Sequence, residues 1–433
     1  MSIRLLIAAP GSGSGKTTFT IGLLSALKQR GLDVGAFKCG PDYIDPMFHK
    51  SVLHIPSTNL DLFFNNEEEL VSLYGRKERE VNVIEGVMGL YDGLAGMEEE
   101  ASSYHVAKTL DCPIVLVINA RGMARSLLAL IHGFLAMDSS HLIRGIVLNQ
   151  MSGMLYPKMK EAIEKECGVS VYGYLPKMDI AISSRYLGLQ LPEELEDLQD
   201  RIECVTKQIF ACIDIDGLLS IGKKKSLKQE EEKEETHFDL RLAYSKDEAF
   251  CFEYDANVEL LEKLGVTLVP FSPIHDKSLP ENIQGLLLTG GYPELYKEEL
   301  QKNESMRSSI RLALESNLPC LAECGGFMYL HKKIEDCDMV GLIEGECKNT
   351  GKLTRFGYVY LQGNDQIMKA HSFHYYDSSC LGNELLVSKP KSSRTWRCGY
   401  IGKDHLYSFA HLYYPSNKEF IVSFLESCEV YGK

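Results

Sequence analysis

The apolar stretch Arg4–Ala9 runs straight into PGSGSGKTT (Pro10–Thr18), and no other feature of the sequence constrains the fold as strongly. Glycines let successive backbone N–H groups curl around phosphate oxygens, and a helix opening at Lys16 aims its positive end at them. The loop needs a strand to deliver it and a helix to receive it. Phe19, Ile21, Leu23, Leu24 and Leu27 supply that helix's apolar positions. Gly11, Gly13, Ser14, Gly15, Lys16, Thr17 and Thr18 therefore form the expected nucleotide-binding set. Lys16 is placed for the β/γ phosphates and the Thr17 hydroxyl for Mg²⁺. The strict G-x-x-x-x-G-K-T spacing is missed by one position, because Pro10 holds the first glycine site and Gly11 follows it.

Short apolar strands continue to alternate with amphipathic stretches. In the first half they are expected at Arg4–Ala9, Asp33–Cys39, Val81–Glu85, Ile114–Asn119, Ile143–Asn149 and Val171–Leu175. In the second half they are expected at Leu240–Tyr244, Val266–Pro270, Gly285–Leu288, Cys320–Glu323 and several places after Gly341. This alternation predicts an α/β chain of parallel sheets covered by helices, with ligands at the carboxyl ends of the strands. From Ile221 the run IGKKKSLKQEEEKEETHF holds almost no apolar residue. It reads as a charged linker over 222–236, or else as an exposed charge-laced helix, between domains at 1–221 and 237–433. With 46 Lys+Arg against 60 Asp+Glu the net charge is −14, which argues against a grip on nucleic acid or an anionic membrane. No apolar run is long enough for a membrane helix. The 13 cysteines form no C-x-x-C pair, so neither a zinc site nor a disulfide framework is indicated, and a reduced cytoplasmic setting is expected.

Two acidic motifs close consecutive strands: KCGPDYIDP (Lys38–Pro46) and EGVMGLYDG (Glu85–Gly93). Phosphoryl transfer from Mg-ATP needs hard oxygen ligands facing the phosphate loop, and short carboxylates on loops supply them. Thr17, Asp42 and Glu85 are assigned to the metal, and Asp42, Tyr43, Asp45 and Asp92 to the substrate. Any one of these carboxylates alone would read as a turn or helix cap. Arg121, in NARGMARS, is placed to clamp a phosphate or a substrate carboxylate, or stands as a surface residue at a helix start. Asn149, ending the next strand, is placed to read a base edge of ATP.

The second half carries a different chemistry. PCLAECGGFM (Pro319–Met328) stops an apolar strand at a cysteine and turns through two glycines into a helix. That elbow exposes the Cys324 thiol and sets a helix N-terminus below it, which should lower its pKa. Cys320 lies inside the strand and reads as a buried small residue. Upstream, LLLTGGYPEL ends in glycines whose N–H groups, with the amide after Cys324, form a candidate oxyanion hole at Gly291 and Gly325. His411, at the end of the last apolar strand, is the expected base. His371 and His374 lie within an alternating strand, where a side chain is packed, and His331 is taken as structural.

Together PGSGSGKTT, KCGPDYIDP, EGVMGLYDG, NARGMARS, TGGYPEL, AECGGFMYL, HSFHYYD and SFAHLYY resemble the cobyrinic acid a,c-diamide synthase family, in the family's order and over nearly the whole chain. The first half is similar to the dethiobiotin-synthetase-like branch of phosphate-loop proteins. The second is similar to class I (triad) glutamine amidotransferase domains. The resemblance implies that Cys324 and His411 release ammonia from glutamine while Gly291 and Gly325 hold the oxyanion. It implies that Mg-ATP then activates the a and c acetates of cobyrinate as acyl phosphates for amidation, within cobalamin biosynthesis, by a monomer or homodimer.

One position departs from the common pattern. Class I amidotransferases place a glutamate two residues after the catalytic histidine, where this chain has Tyr413, a gap that cobyrinic-type members share. Weaker glutaminase activity is the expected result. Related chemistry on hydrogenobyrinate or nickel sirohydrochlorin remains open, because nothing in the sequence reads the metal inside a macrocycle. Cobyric acid synthase has a similar layout, but DYIDP and EGVMGLYDG favour the a,c-diamide branch. A nucleotide switch or partitioning-type ATPase with an inactive amidotransferase-like domain is the non-enzymatic alternative, which an intact Cys324 and His411 disfavour.

Overall fold

The computed structural model describes residues 1–178, 192–229 and 236–432, with backbone alone for 192–197. It divides into two units, Met1–Glu231 and Glu232–Lys433. In the first, strands β1 (Ser2–Ala8), β2 (Val34–Cys39), β3 (Ser57–Leu60), β4 (Val81–Glu85), β5 (Ile114–Asn119), β6 (Ile143–Asn149) and β7 (Ser170–Leu175) alternate with helices. They form one parallel sheet in the order β3-β2-β4-β1-β5-β6-β7. Alternation along β1 sends Leu6 and Ala8 into one core and Leu5 and Ile7 into the other, where they meet the helix Lys16–Gln29. Both faces are covered, which is why these strands read as nearly continuous apolar runs. With β1 in the middle of the sheet, its loop opens between the ends of β4 and β5.

The charged segment is not wholly a connector. Lys223–Lys224 forms a short strand, β8, antiparallel to Ser2–Ile3 at the start of β1. The buried Glu78 carboxylate anchors the residues after β8: it accepts from the Ser226 hydroxyl and from the Leu227 N–H at 3.0 Å, while Ser2 and Arg4 engage its other oxygen. A buried carboxylate needs such donors, and the chain supplies them from this segment. The Glu-rich part, 230–235, lies outside the described residues.

The second unit has two main sheets. Its strands are β9 (Leu240–Ser245), β10 (Phe250–Phe252), β11 (Val266–Phe271), β12 (Gly285–Leu288), β13 (Gly290–Gly291), β14 (Cys320–Glu323), β15 (His331–Ile334), β16 (Cys337–Asp338), β17 (Ile343–Gly363), β18 (Gln366–Ser378), β19 (Leu385–Ser388), β20 (Thr395–Cys398), β21 (Tyr400–Ile401), β22 (His405–Ser408) and β23 (His411–Leu412). One sheet runs β11-β9-β12-β14-β22-β21, parallel except for β21. The other is built on the long antiparallel β17–β18 hairpin, and β23 joins it by pairing with β18. This second, largely antiparallel sheet goes beyond the purely parallel architecture that the strand–helix alternation predicts. It matters because it carries His411 toward the end of β14.

Candidate active sites

In the first unit the phosphate loop is braced from below. Gly13 and Gly15 take positive φ of 77° and 95°, and the Ser14 hydroxyl donates to the Gly11 carbonyl at 2.9 Å. Asn149 Nδ2 donates to the Ser14 carbonyl at 2.9 Å, while its Oδ1 accepts from Gln150 N–H at 3.0 Å. A Cβ on Gly15 would stand 2.0 Å from that same Nδ2. The Asn149 amide is thus committed to backbone. In this structure it is a strut for the loop.

Lys16 Nζ donates to the Met88 carbonyl. Burial, reinforced by Lys38, lowers its pKa to about 8. Thr17 and Thr18 open the helix behind the loop, and the Thr17 hydroxyl donates to Glu85 Oε1 at 2.7 Å. Glu85 is fully buried at the end of β4, and its second oxygen has no hydrogen-bond partner.

Lys38, to which the sequence alone assigns no role, is the centre of this cluster. Its ammonium contacts Asp45 Oδ2, lies 3.1 Å from Glu85 Oε1 and 3.9 Å from Asp42 Oδ2. Burial alone would depress Lys38, but these three carboxylates overcome it and hold it well above its ordinary value. In return Lys38 holds Asp45 low against the opposing effect of burial. Burial and the Asp45 charge push Glu85 up to about 7. The same two causes push Asp42 to about 6, against the opposing pull of Lys38 and of the Ile44 and Asp45 N–H groups. His49 Nε2 stands 3.8 Å from Glu85 Oε2, and burial lowers that imidazole to about 4.

The expected substrate residues are sorted by this geometry. Asp42 sits at the surface of the turn, where its Oδ1 accepts from the Ile44 N–H at 2.8 Å. Asp45 and Tyr43 are buried in the turn, where Asp45 contacts Lys38. Asp92 is half-buried and orders its own loop by accepting from Gly89 N–H at 2.9 Å. Arg121 is exposed just beyond β5, with its N–H on Asn119 Oδ1 at 3.0 Å.

Hard-oxygen donors for Mg²⁺ are present in the touching pair Thr17–Glu85, with an open oxygen on Glu85 and with Asp42 beyond Lys38. Among the described residues no three His, Cys, Asp or Glu side chains form a ready metal cage. The donor set suits an ion whose remaining ligands are phosphate oxygens and water.

In the second unit β14 ends at Glu323, and Cys324 follows at φ 47°, ψ −102°, before the helix Gly325–Leu330. A non-glycine residue there is strained, the mark of an elbow. The Cys324 N–H donates to the Ser408 carbonyl at 2.8 Å, tying the elbow to β22. Gly325 packs against Gly291: an added Cβ on Gly325 would lie 3.0 Å from the Gly291 amide nitrogen. A Cβ on Gly291 would strike the Ala249 carbonyl at 2.0 Å, and one on Gly326 the Leu288 carbonyl at 2.2 Å. Close backbone approach, with no room for a side chain, explains the paired glycines on both sides.

Cys324 is 4% exposed. Burial, then the Glu294 carboxylate, pushes it well above its ordinary value, and the Gly325 N–H offsets this only in part. The expected lowering by the helix N-terminus is therefore overturned in the resting state. A six-residue helix is too short to outweigh burial.

His411 is buried beside the elbow: a Cβ on Gly290 would meet its Cε1 at 2.3 Å. Its Nδ1 is 3.8 Å from Glu323 Oε2. Burial, with a smaller push from His374, lowers it to about 3. His371 pairs across from His411 on β18, and His374 stacks on Phe409 at 4.1 Å. His331 is held by the Phe327 carbonyl at 2.8 Å and the Ser378 hydroxyl at 2.7 Å, a structural role. Cys320 is buried within β14, as expected.

Comparisons with known proteins agree with this division. Residues 5–187 match the family model described as CobQ/CobB/MinD/ParA nucleotide binding domain, and 241–399 match the CobB/CobQ-like glutamine amidotransferase domain. The chain is 39% identical to a cobyrinate a,c-diamide synthase of Caldanaerobacter subterraneus subsp. tengcongensis, over 99% of each chain. It is 40% identical to one from Clostridium tetani, over 98% of this chain and 99% of that one. A Listeria innocua protein of the same name is 36% identical, over 96% and 97%. No helix among the described residues is long and apolar enough to cross a membrane.

Proposed function

The chain belongs to the cobyrinate a,c-diamide synthase family, and on that premise we propose that it amidates the a and c acetates of cobyrinate, with ATP as activator and glutamine as nitrogen donor. The observation that carries the reading is the Cys324 elbow, a cysteine with strained backbone whose following Gly325 packs on the Gly291 amide and whose preceding Glu323 faces the His411 imidazole, in a chain that also carries a braced phosphate loop. A nucleotide switch has no use for that elbow.

At the elbow, the Cys324 proton passes to His411 as sulfur attacks the side-chain carbonyl carbon of glutamine. The N–H groups of Gly291 and Gly325 receive the oxyanion. As the tetrahedral species collapses, His411 returns the proton to the departing nitrogen and ammonia leaves a thioester. His411 then takes a proton from water, which attacks the thioester, and glutamate departs. Because the resting thiol and imidazole are both neutral, the charge-separated pair forms only as glutamine reacts.

At the phosphate loop, backbone N–H groups and Lys16 hold the triphosphate while a substrate carboxylate oxygen attacks the γ-phosphorus and ADP leaves. A carboxylate is a poor electrophile; as an acyl phosphate it gains a leaving group. Ammonia attacks the acyl carbon, inorganic phosphate departs, and an amide remains. Thr17, Glu85 and Asp42 would hold Mg²⁺, which supplies neutralising charge on the phosphates when bound. Lys38 ties Glu85, at the end of β4, to Asp45 in the helix Ile44–Ser51, and Asp42 and Arg121 would contact the macrocycle.

Two variants test the division of labour. Cys324→Ser should lose glutamine-dependent amidation but retain synthesis from added ammonia, whereas Lys16→Ala should lose both. Unaltered glutamine hydrolysis in Cys324→Ser would defeat the assignment. Product mass from cobyrinate, hydrogenobyrinate and nickel sirohydrochlorin, each supplied with ATP and glutamine, decides the macrocycle. Two amidations of cobyrinate are expected.

A further inference from the structure

The position two residues after His411, where a triad carboxylate would stand, is filled by Tyr413. That side chain is 2% exposed and packs edge-to-face on Tyr254 at 5.6 Å. It is a core aromatic and offers no acid. A buried carboxylate nevertheless faces the imidazole from another direction. Glu323, the last residue of β14 and the one immediately before the nucleophile, places Oε2 3.8 Å from His411 Nδ1. Both side chains are nearly sealed from water, 9% and 2% exposed.

We propose that Glu323 is the third member of the triad, a positioning residue that holds the His411 ring through Nδ1 and so leaves Nε2 to exchange the proton with Cys324. The inference rests on the proposed glutaminase chemistry. Three features besides proximity support it. The Leu412 N–H and the Tyr414 hydroxyl both donate to Glu323, so residues flanking Tyr413 grip the carboxylate from the histidine's own segment. Gly290 makes room for the ring at Cε1, 2.3 Å from where its Cβ would be, and this fixes the ring from the opposite side. Neither of the nearby histidines competes, since His374 is stacked on Phe409 and held by the Tyr376 carbonyl, while His371 packs against Tyr358 and Phe356.

The 3.8 Å separation is longer than a hydrogen bond, as catalytic contacts commonly are before substrate arrives. Burial raises Glu323 to about 8 and lowers His411 to about 3, so charge on either group is costly unless the other offsets it. Proton transfer from Cys324 to Nε2 makes His411 cationic, and an ionised Glu323 accepting from Nδ1–H is what stabilises that cation. In an ordinary triad the acid follows the histidine along one strand; here it precedes the cysteine along another, and the sequence pattern hides it.

The test is Glu323→Gln in the full chain, an isosteric change that removes the acid. Glutamine-dependent kcat should fall about 10²-fold or more, with KM for glutamine within a few-fold of wild type. Glu323→Asp should recover part of the loss. Synthesis from added ammonia, which uses no residue of this site, reads the fold. A wild-type kcat for glutamine in Glu323→Gln overturns the proposal. Cys324→Ala keeps the two levels of argument apart: if it too hydrolyses glutamine normally, the glutaminase reading itself fails. Should Glu323→Gln lose ammonia-dependent synthesis as well, the wild-type protein carries the test, through a low-field imidazole N–H signal assigned to His411 Nδ1 by [¹⁵N]histidine labelling. Its presence supports the pairing and its absence refutes it.

Discussion

Lys38→Met isolates the cluster that aligns the phosphate-loop site. The native ammonium is 4% exposed and faces Asp45 at 4% and Glu85 at 0%. Removing it leaves two sealed carboxyls with no cation of comparable proximity among the described residues, a loss typically of about 3–5 kcal/mol. For a unit of this size that corresponds to a fall of roughly 10 °C in its Tm. The pH dependence has a definite sign. Native Asp45 is held below its ordinary value, so its contribution is present above about pH 4 and is lost as pH falls through the lower folded value. Without Lys38, burial governs both acids, Glu85 moves up from about 7, and ionised forms are penalised. The gap between variant and native protein should therefore be widest near pH 8 and narrow toward pH 5, as both carboxyls take up protons. Calorimetry of the full chain measures the shift. The single tryptophan, Trp396, lies in the other unit, and its fluorescence should report an unmoved transition there. A shift below about 2 °C at pH 8, or a gap that widens toward acid, would refute the charge-cluster argument.

Without glutamine, alkylation of Cys324 by iodoacetamide should climb steadily through pH 9, because burial keeps the thiol protonated; a plateau near pH 7 would show a thiolate already formed. Asn149→Ala removes the strut beneath Ser14 and should raise the KM for ATP several-fold with glutaminase intact; an unmoved KM in steady-state assays would mean the loop stands alone. Gly326→Ala drives a Cβ to within 2.2 Å of the Leu288 carbonyl and should cost about 2 kcal/mol or more in denaturant titration; a neutral result would mean that the elbow helix shifts freely.

The regular elements were legible because both physics and pattern pointed one way. Val81–Glu85, Ile114–Asn119, Ile143–Asn149, Gly285–Leu288 and Cys320–Glu323 are strands at the boundaries read from their apolar runs. Ser57–Leu60 gave no such signal, since STNL holds a single aliphatic residue and becomes a strand only by pairing with β2. The long β17–β18 hairpin is half polar, and its one local signal is the two-residue Asn364–Asp365 turn, both residues at positive φ. In the sites, the glycine loop and the elbow announced themselves through backbone requirements that few residues meet. Lys38, Asn149 and Glu323 did not, because their roles depend on which buried group each one meets across the sheet. A lysine before a turn and a glutamate before a cysteine carry that meaning only in three dimensions.

The proton that Cys324 keeps at rest has a consequence for sulfur chemistry outside the reaction. Peroxide and disulfide reagents attack thiolates, so a nucleophile stored as a sealed thiol is shielded from them until its own substrate draws the proton away. Cys204, on the helix Pro192–Cys212, is the one exposed cysteine among the described residues. An oxidant in solution would meet that exposed sulfur before the buried one.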